Sequence, residues 1–117
     1  MSDNKVILTG NLGERGVEVI ELDSGKKMAV LSIATNYKYE DKDTREEVKK
    51  TTWHKAVAFN PTLIEKLKVY GKGERLEITG SLDYQEHLVN KEDKEFKLKE
   101  ASIIVRSFEH KPLVRKS

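Results

Sequence analysis

The chain has no cysteine. Disulfides and thiolate metal sites are thereby excluded. It also lacks an excess of one charge, with 22 basic residues against 20 acidic ones and a net charge of +2. Bulk charge is therefore no argument for a nucleic-acid partner, and any phosphate groove must come from local clustering. No N-terminal apolar stretch resembles a signal peptide, and no apolar run is long enough to span a membrane. A soluble intracellular protein is expected. The parts of an enzyme are missing too. His54, His87 and His110 are far apart, and none lies in a metal-spaced motif. Gly71 and Gly73 flank Lys72, but no phosphate-cradling glycine motif follows a strand. Carboxylates are scattered along charged stretches, where they serve solvation. No catalytic residue, metal, cofactor or small-molecule substrate is expected.

What is present is a patterned β-rich chain of 117 residues, enough for one domain with a modest core. Oligomerisation would be a natural source of further stability. Val6, Ile7 and Leu8 form a strand run closed by a kink near Gly10–Gly13, and Val17–Leu22 continues with partial alternation. Asp23-Ser24-Gly25 is a turn signal. Met28–Ala34 is apolar in both phases, as a doubly covered strand would be. Glu40–Lys50 is too polar to bury and reads as a solvated loop. Thr51–Phe59 alternates cleanly, with Trp53, Lys55, Val57 and Phe59 on one face and His54, Ala56 and Ala58 on the other.

Asn60-Pro61 starts a helix of about ten residues, with Asn60 as cap and Gly71 as terminator. Leu63, Ile64, Leu67 and Tyr70 follow at helical spacing. Arg75–Leu82 is a strand with a bend at Gly80, and Asn90–Asp93 a hairpin turn. The last strand, Glu95–Phe108, changes parity between Phe96 and Leu98 and the set Ala101, Ile103 and Val105, which predicts a bulge near Lys99–Ser102. The domain is expected to span 1–108, with a short, basic, flexible tail over 109–117. Three strands, one short helix and two strands match an all-β, five-stranded Greek-key barrel of the OB type. The pattern alone also fits another small β-barrel with one helix.

The constellation that carries chemistry is aromatic and basic. Trp53 and Phe59 share a strand face with Lys55, Tyr37 and Tyr39 close the preceding strand, and Lys42 follows. Rings stack on bases and lysines track phosphates in sequence-tolerant single-strand binding. By pattern alone, a Trp and a Phe at period two on a strand are more often core. Lys55 argues for the surface, because a lysine is rarely buried unpaired. Ala56 and Ala58, with His54, offer a face of small residues against which a partner subunit could pack. Tyr84 and His87 lie near a hairpin tip, and Phe96 reads as core.

Four ordered blocks carry a resemblance: NKVILTGNLG (Asn4–Gly13), SIATN (Ser32–Asn36), TTWHKAVAF (Thr51–Phe59) and KGERLEITGSL (Lys72–Leu82). Together they resemble the bacterial and mitochondrial-type single-stranded DNA-binding protein family over nearly the whole chain. The resemblance implies an OB fold and a homo-oligomer, usually a tetramer. It also implies sequence-tolerant binding of single-stranded DNA in replication, recombination or repair, without catalysis. It places Trp53, Phe59 and Tyr39 against bases, Lys5, Lys42 and Lys72 against DNA, and His54 at a subunit contact. Localisation would be the cytoplasm of a bacterium, including a copy encoded by a phage or mobile element, or a mitochondrion.

The chain also departs from the family. Asp83-Tyr84-Gln85-Glu86-His87 is acidic where family members often carry basic residues and a tryptophan, and Ile20 stands at a usual arginine. Lys111–Ser117 is basic and shows no acidic tip. These departures motivate an alternative, an OB-fold adaptor of a replication, primosome or conjugation complex.

Overall fold

The computed structural model describes residues 3–91 and 94–113. Five strands and one helix follow in the order β1 (Val6–Glu21), β2 (Lys27–Glu40), β3 (Glu47–Ala58), α1 (Pro61–Leu67), β4 (Arg75–Lys91) and β5 (Lys94–His110). The strands close into a barrel in the order β1-β2-β3-β5-β4. Four neighbouring pairs are antiparallel. The seam between β3 and β5 is parallel and short, with Ala56 opposite Ile103 and Val57 opposite Ile104. The helix stands between the third and fourth strands. This is the expected OB-fold barrel.

Burial follows strand alternation. Ala29, Leu31 and Ile33 of β2 enter the core with Ala56 and Ala58 of β3, Leu76 and Ile78 of β4, and Ile103 and Val105 of β5. The second face of β2, expected to be covered as well, is covered only in part: Ala34 is buried and Val30 half-buried, but Ser32 is exposed. β1 is one continuous strand whose two halves serve different partners. Val6–Asn11 pairs with β4, Asn11, Leu12 and Val17–Glu21 pair with β2, and the register with β2 shifts between Leu12 and Val17.

The helix start is as expected. The Asn60 side chain accepts from the backbone N–H groups of Thr62 at 2.9 Å and Leu63 at 3.3 Å, and Pro61 opens the first turn. The helix is shorter than expected and ends at Leu67. Seven residues are too few to hold a helix alone, so α1 depends on Ile64 and Leu67 entering the barrel core. Tyr70 lies beyond it, with its ring edge-on to Phe108 at 5.7 Å.

Three boundaries differ from the sequence expectation. First, Glu40–Lys50 is in part ribbon, with Glu40 and Glu47–Lys50 in strand. β2 and β3 remain paired out to Glu40 and Glu47, and only the turn between them is loop. Polarity there reflects two solvated faces, while the backbone groups satisfy each other across the ladder.

Second, the bulge lies at Arg106 and not at Lys99–Ser102. Thr79 pairs with Ser107 and Gly80 with Val105, which leaves Arg106 as the extra residue. The extra residue lets Val105 and Phe108, three positions apart, both pack on the core. A Cβ at Gly80 would overlap the Ile104 carbonyl, so this crossing needs glycine.

Third, β5 runs past Phe108 to His110. The Lys111 N–H donates to the Arg75 carbonyl at 2.9 Å, and Arg75 Nη1 donates to the Lys111 carbonyl at 3.2 Å. The expected tail from 109 therefore begins with ordered strand. In the expected turn at Asn90–Asp93, Asn90 and Lys91 belong to β4. Glu92, Asp93 and 114–117 lie outside the described residues, as do the side chains of His87 and Phe96.

Candidate nucleic-acid interface

The aromatic face of β3 is built by its alternation. His54, Ala56 and Ala58 turn inward, so Trp53, Lys55, Val57 and Phe59 turn to the other face. Val57 is buried there, yet Trp53 is 60% exposed and Phe59 45%. Burial of a large ring is among the strongest stabilising terms available to a small domain. This barrel leaves two such rings uncovered, one on β3 and one directly after it.

Trp53 stands as a ridge between two clefts. One is lined by Gly13, Glu14, Arg15, Glu18 and Ser32. The other is lined by Lys55, Leu82, Ala101 and Ser102. The ring lies close over Gly13, and a Cβ there would stand 3.2 Å from Trp53 Cζ3. Phe59 opens onto a third cavity, walled by Leu22, Pro61 and Ile64 with Lys26 and Lys27 at its rim. Glu65 also lines that cavity. Its carboxyl is held below its ordinary pKa by a hydrogen bond and the charge of Lys68, 2.7 Å away.

The lysines divide by what they touch. Lys55 is beside Trp53 and pairs with Glu100 at 3.2 Å. Lys72, in the loop before β4, reaches Glu14 at 4.0 Å and so borders the Trp53 cleft. Lys42 is in the turn of the β2–β3 ribbon, and Lys5 immediately precedes β1. The structure thus groups Trp53 and Lys55 on one face of β3, with Phe59 just past its end. Lys72 lies at its edge, and Lys42 and Lys5 are carried elsewhere.

Tyr37 and Tyr39 form a second platform. Their rings stack at 5.6 Å with 25° between planes, and both are exposed. The register sets Tyr37 opposite Lys50 and Tyr39 opposite Val48, while Ala34 is opposite Trp53. By alternation the tyrosines share the face of Thr35 and His54, opposite that of Trp53. The sequence does not reveal this division, because it depends on the register between β2 and β3.

The expected subunit face requires correction. Ala56 and Ala58 are 0% exposed and belong to the barrel core. A barrel of five strands has room for only small side chains at some inward positions. Their size answers to the chain's own interior and offers no surface to a second subunit. His54 is half-buried at the mouth of the barrel, with its Nε2 and the Thr35 hydroxyl hydrogen-bonded at 2.9 Å.

Two curated relatives, the single-stranded DNA-binding proteins of Rickettsia felis and Rickettsia prowazekii, are 42% identical over 80 residues, which is 68% of this chain. The chain spans about half the length of the curated relatives it matches, 52%. A solved structure described as the Plasmodium falciparum SSB complex with ssDNA superposes with a TM-score of 0.78 at 28% identity, covering 93% of each chain. The small single-stranded DNA-binding protein from Streptomyces coelicolor shares the fold, with a TM-score of 0.67 at 15% identity over 95% of this chain and 96% of its own. A model of the single-strand binding protein family matches residues 3–110. With that match and the 42% identity of its relatives, the chain belongs to the single-strand binding protein family.

Proposed function

We propose that this chain binds single-stranded DNA without sequence preference and protects it during replication, recombination or repair. The observation that carries this reading is Trp53, 60% exposed on a ridge between two clefts with Lys55 alongside. Every base has a π face, so an exposed ring gains about 1–3 kcal/mol per stacked base whatever the sequence. Trp53 on β3 and Phe59 directly after it serve as platforms, and Tyr37 and Tyr39 serve as a separate platform on the ribbon. Lys55, Lys72, Lys42 and Lys5 neutralise phosphates and release counterions. The relatives' printed names and the DNA-bound structural neighbour support the same ligand. The chain acts without catalysis, as a homo-oligomer and most simply a tetramer, in the bacterial cytoplasm. His54 is its contact with a neighbouring subunit.

The test is fluorescence anisotropy of a labelled thymidine oligomer titrated with the protein. The expected result is a rise in anisotropy that weakens steeply with added salt. No rise at low salt would overturn the reading. Light scattering with and without the oligomer gives the subunit count. A monomer in both conditions would overturn the oligomer.

A further inference from the structure

We propose that Lys5 and Arg106 form a two-cation clamp for a backbone phosphate of the bound strand, in a cleft displaced from the stacking rings. The clamp rests on the reading of the chain as a single-strand binder. Arg106 carries no family expectation and was not singled out in the sequence. Its placement comes from the bulge. As the extra residue between Val105 and Ser107, it has no partner on β4. A bulge of this kind re-aims a side chain away from the regular alternation. Here it brings Arg106 into one cleft with Lys5, Asn4, Thr79 and Gly80.

Position and charge make this cleft a phosphate site. Asn4 pins the start of the chain, its amide donating to the Leu82 carbonyl at 2.8 Å and its carbonyl accepting from the Leu82 N–H at 2.9 Å. The adjacent Lys5 is therefore tethered to β4. Val6 is opposite Gly80, so Lys5 enters the cleft from β1 while Arg106 enters from β5. Neither cation is ion-paired with any described residue, whereas Lys55 and Lys72 are. Asp3 lines the cleft too and leaves it one net positive charge. An arginine fork and a lysine point charge suit a phosphodiester better than a base edge.

The cleft also continues the aromatic line. The parallel seam sets Ala56 against Ile103 and Val57 against Ile104. Phe59 directly follows β3, and Arg106 lies two residues past Ile104 on the neighbouring strand β5. A strand leaving Phe59 across β5 and β4 would meet Arg106 and then Lys5.

The experiment measures affinity for a labelled thymidine oligomer at graded salt for the wild type, Lys5→Gln, Arg106→Gln, the double variant and Arg106→Lys. Lys66→Gln, on the exposed side of α1, is the control for net charge. Each phosphate contact contributes about 0.7 to the slope of log affinity against log salt. Each single variant should be shallower by about 0.7 and the double variant by about 1.4. Arg106→Lys should restore the slope, and Lys66→Gln should match the wild type. Salt-dependent binding by the wild type with unchanged slopes in both glutamine variants overturns the clamp alone. Absence of binding by the wild type overturns the function and the clamp with it.

Discussion

Trp53 lies across Gly13, so close that a Cβ on residue 13 would stand 3.2 Å from the indole Cζ3. The glycine lets the ring settle onto β1 while its outer surface stays open. Gly13→Val should push the indole off this seat and weaken base stacking, at a loss of about 1 kcal/mol in affinity for single-stranded DNA. Trp53 is the only tryptophan, so its emission reports the displacement directly. Unchanged emission and unchanged affinity would show that Gly13 does not seat the ring.

Trp53→Ala and Phe59→Ala should separate binding from stability. Both rings are exposed and lie outside the core cluster. Each substitution should lower single-strand affinity by about 1–3 kcal/mol. Folding stability should fall by no more than about 1 kcal/mol, because each ring is only partly covered. Calorimetric titration and urea unfolding measure the two effects.

Ala56→Leu and Ala58→Leu should do the reverse. Both alanines are fully buried in the barrel. Extra methylenes would overpack this interior and destabilise it by about 1–3 kcal/mol. A lowered urea midpoint with the oligomeric state retained is expected. Dissociation of subunits without loss of protomer stability would instead restore these residues to an interface.

The two aromatic platforms should act independently. Tyr37 and Tyr39 stack on one face of the β2–β3 ribbon, and Trp53 lies on the opposite face. With no shared partner, the loss in Tyr37→Ala/Tyr39→Ala should add to that in Trp53→Ala within about 0.5 kcal/mol. A double-mutant cycle on one long thymidine oligomer checks this.

The alternation of Thr51–Phe59 was legible because strand period is a local property, and the helix cap was legible because Asn60-Pro61 carries its own chemistry. The β2–β3 ribbon was not, since neither face is buried and polarity there does not distinguish ladder from loop. The parity difference between Phe96 and Leu98 and the set Ala101, Ile103 and Val105 does not mark a bulge. The β4–β5 hairpin continues in register from Val105 out to Lys94, so Lys99–Ser102 needs no extra residue. Only the need to turn both Val105 and Phe108 to the core locates the bulge at Arg106. Ala56 and Ala58 had the right face but the wrong neighbour. Alternation tells which residues share a face, and closure of the barrel decides which face is inside.

Trp53 emission during titration with an unlabelled thymidine oligomer tests the central claim most directly. Stacking of bases on the exposed indole predicts strong quenching that saturates at a fixed oligomer ratio and is reversed by salt. Emission that stays unchanged at low salt, while the oligomer still binds, would contradict Trp53 as a base platform.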